Sequence, residues 1–451
     1  MEWLYLISML IIGSVMIFLT PPFQTPDEVP HFIRIYQISE GIIRATPVEE
    51  QTPAGLKIYP HANMPSDFFS LLSPGHEGMF HEANYYDFSF TRHLFSIPIN
   101  FEKRYDISIP NTGIYSPLVY APQILFTCIS RAVFGTVGAV YYSARFGAVL
   151  FTAICIFLAM KLIPEKKLLI FIVAFMPMFL VETASVSPDP VIYSITILGT
   201  AYFFYLRKGE NLISGKEIFF IMLLACCIGL AKQVYGVILL LYFFIPMERF
   251  GGKKKFYLYG ALMIFLYLFS AFTWLYFSKV VFNISYHTFP SPEVNIENQT
   301  AFIKENFFKF LEIMFSTFIT AFYDYYIQFI GVLGWLSVFL PDWFYYFYGV
   351  LLIVGAVFGN LNLNLKQRLI MFACFVPVII ALYTHFYIVW SPVGNSFIEG
   401  IQGRYFIPCA IMCLSSISFV KNNSYEILIA FIAATISSSV TILTTIERFY
   451  I

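Results

Sequence analysis

Charged residues are scarce in this chain of 451 residues, at 12% of the total, whereas an ordinary soluble domain carries about 25%. Neither sign is in excess, because 27 Lys and Arg balance 27 Asp and Glu. Net charge therefore gives no reason to expect a nucleic-acid partner. Apolar residues make up 59% of the sequence, which is more than one soluble core can bury. The composition predicts an integral membrane protein.

The sequence also lacks the motifs of nucleotide-driven and zinc-binding proteins. It contains no Walker motif, no GxGxxG, no zinc-finger spacing and no internal repeat, which argues against an ATP-driven pump. Cysteine is absent from the long polar stretches, so we expect no disulfide and no cysteine metal site. The seven cysteines all lie in apolar segments and are Cys128, Cys155, Cys226, Cys227, Cys374, Cys409 and Cys413.

The apolar residues come in blocks of about 20, the length with which a helix crosses the hydrocarbon core. They predict an all-α integral membrane protein with about eleven transmembrane helices. We expect the first helix to stay in the mature protein, because residues 1–20 lack the basic start and the cleavage site of a signal peptide. The predicted spans are 3–22, 139–160, 168–186, 190–206, 217–232, 235–249, 257–281, 343–361, 369–389, 405–420 and 426–446.

Basic loops set the predicted orientation, because Lys and Arg concentrate on the cytoplasmic side. The loops that we assign to the cytoplasm are 161–167, 207–216, 249–255 and 366–368. Residues 115–134 and 302–340 are apolar but interrupted, and we expect them to be interfacial or re-entrant; whether they cross the membrane stays open. The predicted regions are the first helix 1–22, a large external loop domain 23–136 with interfacial helices, a transmembrane core 137–281, a second external segment 282–342 and C-terminal helices 343–451.

Two adjacent carboxylates, Asp27 and Glu28, follow the first predicted helix. One of two such groups can deprotonate an attacking hydroxyl as general base while the other orients it or a cation. His31 follows one helical turn after Asp27, on a short helix that would start near Pro30. The alternative is that Asp27 caps this helix, and spacing alone does not separate the two roles.

Two further acidic residues lie at predicted helix ends. Asp189 stands between two prolines, which fix its backbone, and it could also cap the next helix. Glu182 lies near the end of the third predicted span, where an ionisable side chain is costly and usually faces a wet cavity. Arg145, at a similar depth in the second predicted span, is a candidate partner for Glu182.

Basic residues at the same membrane face could bind an anion. Arg404 offers bidentate donors to a phosphate, and Gly403 would let a ligand approach closely. Gln402 and Tyr405 could add hydrogen bonds. Lys232 ends one predicted span, where it either contacts a phosphate or extends its ammonium group to the interface.

The predicted topology brings Asp27, Glu28, Asp189, Lys232 and Arg404 to one face, although they come from separate loops. Carboxylates and cations at the membrane surface suit a substrate with a lipid tail, a phosphate and a polar group. Seven further polar residues lie in the external segment, and their spacing is not that of a metal site. We expect them to be solvated loop residues. They are His61, His76, Glu77, His81, Glu82, Asp87 and His93.

The segments PDEVPH (26–31) and QGRYFIP (402–408) resemble two signatures of a bacterial family of polytopic membrane proteins of formerly unknown function. SVSPD (185–189), the Lys232 segment and GVLGWLSVFLP (331–341) also resemble it, so the similarity spans nearly the whole chain. That family in turn resembles the type C (GT-C) glycosyltransferases, which include protein mannosyltransferases and the aminoarabinose transferases of lipid A.

The resemblance implies a GT-C-like bundle and an inverting transfer of a sugar from a polyprenyl-phosphate carrier to a hydroxyl of a cell-surface glycan, such as O-antigen or a wall polymer. The reaction would take place at the outer face of the bacterial cytoplasmic membrane. Asp27 would be the base with Glu28 as its neighbour, Asp189 would match a second acidic position, and Arg404 and Lys232 would hold the carrier phosphate. The pair is Asp-Glu and not the Asp-x-Asp of some relatives, which leaves a divalent cation (Mg or Mn) at this pair open.

The implied partners are the lipid-linked donor, the glycan acceptor, the bilayer, and an upstream carrier-loading glycosyltransferase and flippase, with no nucleic acid. Three alternatives remain: a flippase or transporter of lipid-linked saccharides, an O-antigen polymerase or ligase, and a non-catalytic membrane partner of a glycosyltransferase complex. The sequence shows neither the inverted repeats nor the broken midplane helices of transporters. O-antigen polymerases and ligases typically carry their external bulk late in the chain.

Overall fold

The computed structural model describes residues 1–52, 55–72, 85–282, 293–421 and 424–451. The chain is mainly helical, as predicted, because a helix satisfies its own backbone groups within an apolar segment. The α-helices in the described ranges are α1 (Glu2–Leu19), α2 (Glu28–Ser39), α3 (Phe88–Leu94), α4 (Ala121–Val133), α5 (Val137–Leu162), α6 (Lys167–Ala174), α7 (Pro177–Thr183), α8 (Asp189–Lys208), α9 (Gly215–Ala231), α10 (Lys253–Ser278), α11 (Ile296–Glu305), α12 (Phe307–Gly331), α13 (Asp342–Val357), α14 (Leu365–Ala373), α15 (Phe375–Val389), α16 (Ile407–Ser415) and α17 (Glu426–Phe449).

Five helical runs among the described residues are long and apolar enough to cross a membrane. They are Glu2–Leu19, Val137–Leu162, Lys253–Ser278, Leu365–Val389 and Glu426–Phe449. Three shorter apolar helices, Gln233–Phe244, Asp342–Val357 and Gly403–Ser415, coincide with other predicted spans. The finding supports a polytopic membrane protein, with fewer full-length spans than the eleven predicted.

Several predicted spans are not single α-helices; the span 369–389, for example, is divided between α14 and α15. The span 168–186 is divided into α6 and α7, with the break just before Pro177. Proline has no N–H to donate and its ring collides with the preceding turn, so the helix restarts there. The span 235–249 is largely a 3₁₀ helix, Gln233–Phe244. Such a long 3₁₀ helix is unusual.

The predicted external segment contains a sheet as well as the expected helices. Strand β1 (Thr46–Thr52) pairs antiparallel with β2 (Gly55–Pro65), and β2 pairs antiparallel with β3 (Arg104–Ser108). Helices α2 and α4 pack against one another, and α2 also contacts β2. The mainly helical fold is therefore confirmed, and this small sheet was not predicted.

The two interrupted apolar segments, 115–134 and 302–340, contain helices of different length. Residues 117–120 form a 3₁₀ turn that leads into α4, whose 13 residues are fewer than the roughly 20 needed to cross a bilayer. Residues 302–340, which we expected to be interfacial or re-entrant, contain α12, one continuous helix of 25 residues. It is followed by the short strands β4 (Val332–Leu333) and β5 (Val338–Phe339).

Helix α5 is at the centre of the bundle and packs against α1, α4 and α8. In the most apolar 18-residue stretch of α5, 61% of the residues are buried within the protein. In the corresponding stretch of α10, only 17% are buried. Close packing is visible at Gly13 of α1, where an added Cβ would lie 2.6 Å from a methyl carbon of Val149 on α5. The candidate site is built at one end of this core.

Candidate active site

One buried arginine holds the loop that follows α1. Arg145, on α5, has no exposed surface. It donates from Nη1 to the carbonyl oxygens of Ile17 at 2.8 Å and Thr20 at 2.6 Å, and from Nη2 to that of Pro21 at 3.2 Å. These carbonyls lie at the end of a helix, where the helix dipole favours a cation. Arg145 thereby fixes the direction in which the chain leaves α1.

Glu28 completes this arrangement and is fully buried. Its Oε1 accepts hydrogen bonds from Arg145 Nε at 2.8 Å and from the N–H of Val186 at 2.9 Å. Its Oε2 accepts from Arg145 Nη2 at 2.8 Å and from Thr25 Oγ1 at 3.3 Å. Each carboxylate oxygen therefore has two donors. The predicted pairing of Arg145 with Glu182 is wrong, because Arg145 pairs with Glu28.

Asp27 differs from its neighbour in backbone and exposure. Its backbone lies in the left-handed region, with φ 61° and ψ 9°, where Asp is more common than most non-glycine residues. It occupies the N-cap position of α2, but its side chain makes no capping hydrogen bond. Its side chain is 47% exposed, and Oδ2 accepts a hydrogen bond from Arg404 Nη2 at 3.3 Å. Asp27 is thus a half-exposed carboxylate with a long contact to one cation.

The Asp27 loop is also supported from outside α5. The N–H of Phe23 donates to the hydroxyl of Tyr141 at 3.1 Å. The carbonyl oxygen of Phe23 accepts from Trp335 Nε1 at 3.0 Å. Trp335 lies in the 331–341 segment that resembles the bacterial family, so this segment reaches the loop that precedes Asp27.

Arg404 lies in a short 3₁₀ turn, Gly403–Phe406, that packs closely against α12. A Cβ added to Gly403 would lie 2.2 Å from the carbonyl oxygen of Tyr325 and 2.5 Å from the nitrogen of Phe329. The N–H of Gly403 donates to Gln328 Oε1 at 2.9 Å. The sequence suggested that this glycine admits a ligand, whereas its close approach is to the backbone of α12. A side chain here would push Arg404 out of position.

Three carboxylates surround the guanidinium of Arg404, which is only 4% exposed. Nη1 donates to Glu182 Oε1 at 2.6 Å and lies 3.6 Å from Asp189 Oδ2, at the start of α8. Nη2 contacts Asp27. Arg404 is separated from Asp27 by 377 residues and from Glu182 by 222, so the fold and not local sequence builds this cluster.

Lys232 is the second cation near the cluster. It interrupts the chain between α9, which ends at Ala231, and the 3₁₀ helix that begins at Gln233, and its backbone is extended. Its Nζ lies 4.4 Å from the ring centroid of Tyr405, and the guanidinium carbon of Arg404 lies 5.6 Å from the same centroid. Within the described part of the chain Lys232 makes no hydrogen bond or ion pair. Its charge is therefore stabilised by aromatic faces and open to an anion.

His31 lies on α2, is 7% exposed, and its Nδ1 is 2.6 Å from the hydroxyl of Tyr120. Burial is the main reason why the pKa of His31 falls from 6.5 to about 3. Among its neighbours, Asp189 raises this pKa, and the cations Arg404 and Lys232 lower it. The imidazole is therefore neutral at physiological pH and can offer a ligand a hydrogen bond but no charge.

The remaining predicted residues lie beside the cluster. Gln402 has a buried Oε1 with no hydrogen-bond partner among the described residues, and the same holds for Arg404 Nε. The ring of Tyr405 stacks on Phe386 at 5.5 Å. A shallow apolar surface, with no space for a water molecule inside it, adjoins Lys232. Its other lining residues are Ile192, Ile195, Thr196, Ile228, Ala231 and Tyr235.

The structure brings together most of the residues that the sequence singled out. Asp27, Asp189 and Arg404 are in direct contact, and Lys232 is within their electrostatic reach. The sequence pointed to Glu182 as an ionisable residue facing a cavity but assigned it the wrong partner. Tyr120, the partner of His31, was missed because no local pattern separates it from the many aromatic residues of the chain.

The external polar residues are not all solvated. His61 is buried, with Nδ1 2.6 Å from Asp106 Oδ2 and Nε2 2.6 Å from Glu50 Oε1, so the prediction for this residue is wrong. Asp87 and His93 are exposed, as predicted. The predictions for His76, Glu77, His81 and Glu82 lie outside the described residues.

Asp27 and Glu28 do not form a joint ligand set for a divalent cation in this conformation, because they face different arginines. In the described ranges, no three or more His, Cys, Asp or Glu side chains are arranged to hold a metal ion.

Residues 10–413 match a family model described as a predicted membrane protein, DUF2142. The match covers most of the chain and contains every residue of the candidate site. The chain belongs to the DUF2142 family. Membership supports the membrane assignment that composition and helices indicate independently. No curated protein and no solved structure matches this DUF2142 chain.

Proposed function

We propose that this DUF2142 protein is an inverting glycosyltransferase that moves a sugar from a polyprenyl-phosphate carrier to an acceptor hydroxyl. The observation that carries the proposal is the half-exposed carboxylate of Asp27 beside two cations, Arg404 and Lys232, at one end of a bundle of apolar helices. A base next to an anion site is what displacement of a phosphate by a hydroxyl requires.

Asp27 takes the proton of the acceptor hydroxyl. The acceptor oxygen bonds to the anomeric carbon on the face opposite the carrier, and the bond from that carbon to the phosphate oxygen breaks with its electron pair on the polyprenyl phosphate. Arg404 and Lys232 stabilise the phosphate as its charge increases. The donor arrives already activated, so the reaction needs no nucleotide.

The apolar surface beside Lys232 supports a lipid-linked donor over a soluble one. Apolar side chains of α8 and α9 form it, and Lys232 lies at this surface. An isoprenoid chain that lay along it would bring its phosphate within reach of the ammonium group. The resemblance to GT-C enzymes points to the same class of donor.

The remaining residues position the reacting groups. Glu28 and Arg145 hold the Asp27 loop, Asp189 and Glu182 orient Arg404, and His31, Gln402 and Tyr405 offer hydrogen bonds or aromatic surface to the substrates. Under this proposal the acceptor is a cell-surface glycan such as O-antigen or a wall polymer, and the site faces the outside of the bacterial cytoplasmic membrane. A carrier-loading glycosyltransferase and a flippase must supply the donor.

The direct test is sugar transfer by the purified protein in lipid nanodiscs, with a panel of polyprenyl-phosphate sugars and a crude cell-envelope acceptor. We expect one donor to be consumed with transfer of its sugar, and the products to have an inverted anomeric configuration. The proposal fails if no donor is consumed while the protein in proteoliposomes moves a lipid-linked saccharide between leaflets, which would make it a transporter. Asp106→Asn, in the external sheet away from the cluster, is the control variant and should transfer at the wild-type rate.

A further inference from the structure

We propose that Asp27 and the phosphate of the donor compete for Arg404, so that donor binding displaces the Asp27 carboxylate from the guanidinium. This inference rests on the proposed function, because it concerns what Arg404 contacts during turnover.

Carboxyl groups outnumber cations at the cluster. Asp27, Glu182 and Asp189 lie around Arg404, and Lys232 is the second cation nearby. A phosphate that entered with every contact intact would lie close to these carboxyl groups. Binding to the guanidinium is therefore tighter if one of them leaves it.

Asp27 is the carboxylate that can leave at least cost. Glu182 has no exposed surface, lies 2.6 Å from Nη1, and its second oxygen accepts from Ser187 Oγ at 3.3 Å. The side chain of Asp189 is only 10% exposed. A buried carboxylate that lost its cation would remain uncompensated, whereas that of Asp27 is 47% exposed and would regain water. Its 3.3 Å contact is also long for a charge-assisted hydrogen bond.

The exchange changes what Asp27 can do. In the free site one of the two carboxylate oxygens, Oδ2, accepts a hydrogen bond from Arg404 Nη2. A phosphate on Nη2 would release this oxygen, so that both oxygens of Asp27 could face the acceptor hydroxyl. Lys232, which has no carboxylate in direct contact within the described ranges, provides the first contact for the incoming anion.

The experiment measures binding without catalysis. Polyprenyl monophosphate, which carries no sugar to transfer, is titrated into the wild-type protein and two variants in nanodiscs. Asp27→Asn removes the competing charge at constant size, so we expect it to bind about 5- to 10-fold more tightly than the wild type. Asp27→Glu keeps the charge and should bind no more tightly than the wild type. Asp106→Asn controls for a general change of surface charge and should leave the affinity unchanged.

The failures are distinguishable. If the wild type binds but Asp27→Asn binds equally or more weakly, the competition is refuted while the proposed function stands. If neither the wild type nor any variant binds polyprenyl monophosphate, the proposed function fails and takes this inference with it. If Asp106→Asn also binds more tightly, the gain comes from net charge and the competition is again refuted. Matching size-exclusion profiles of wild type and variants verify that each is folded.

Discussion

Two consecutive carboxylates face opposite surroundings in this protein. Glu28 is fully buried, and Arg145, Val186 and Thr25 saturate its oxygens with donors. Asp27, the residue before it, is half exposed and has one long contact with Arg404. Both carboxylates pair with an arginine on a distant segment, yet only one pair is closed to solvent.

The difference shows that a carboxylate paired with an arginine can serve either to hold the chain in place or to react with a substrate. A buried pair with every lone pair occupied fixes the chain and is costly to break. A half-exposed carboxylate with one weak contact can exchange that contact for a substrate. Adjacent position in the sequence therefore says little about shared function, because the side chains point to different arginines.

The largest effect is expected from breaking the Glu28 pair. Glu28→Gln leaves the buried charge of Arg145 uncompensated and puts an amide N–H₂ against a donor, so it should lower the free energy of unfolding by about 3–5 kcal/mol. Thermal unfolding in detergent measures this. The control is Glu312→Gln, which breaks the exposed pair with Lys309 and should cost about 1 kcal/mol or less. Equal losses from the two variants would contradict the comparison.

The next effect concerns Lys232, the cation that has no ion pair among the described residues. Lys232→Met keeps the length of the side chain but removes its charge, so polyprenyl-phosphate binding should weaken about 10-fold, in line with the loss of one charge-assisted contact. Thermal unfolding should change little, because Lys232 has no ion pair among the described residues. Lys309→Met, at an exposed pair with Glu312, is the matched control. Unchanged affinity in Lys232→Met would remove this residue from the site.

The last effect depends on pH. His31 has a pKa of about 3 in the folded protein and about 6.5 when unfolded, so below pH 6.5 the unfolded state takes up a proton that the folded state does not. Stability should therefore fall as pH decreases from 6.5 toward 4. His31→Gln should reduce that slope, by up to about 1.4 kcal/mol per pH unit. The matched control for the substitution itself is His93→Gln, at an exposed histidine. A wild-type slope in His31→Gln would contradict the neutral, buried imidazole.

Much of the bundle can be predicted from the sequence, because apolar length is a local property. The spans 3–22 and 190–206 correspond closely to α1 and α8. The clustering of Asp27, Asp189 and Arg404 also followed from loop order and orientation. The split of span 168–186 was readable in principle from Pro177, since proline interrupts a helix for local steric reasons.

Partner choice could not be predicted in the same way. Arg145 and Glu28 are 117 residues apart, and which acid reaches which arginine depends on how α5, α7 and the Gly403 loop pack. Periodicity carries no information on such pairs, so the assignment of Arg145 to Glu182 was wrong. The sheet at β1 to β3 was missed for a similar reason, because its strands pair across turns in a polar segment without a clear apolar alternation.

The most direct test of the central claim is the sugar-transfer rate of Asp27→Asn at saturating donor, measured beside the wild type. The account predicts a fall of about 100-fold or more, the size of a lost general base, with a thermal unfolding midpoint close to that of the wild type because this half-exposed side chain supports little structure. A rate within about twofold of the wild type would show that Asp27 is not the base. The separation of roles between Asp27 and Glu28 would then be lost.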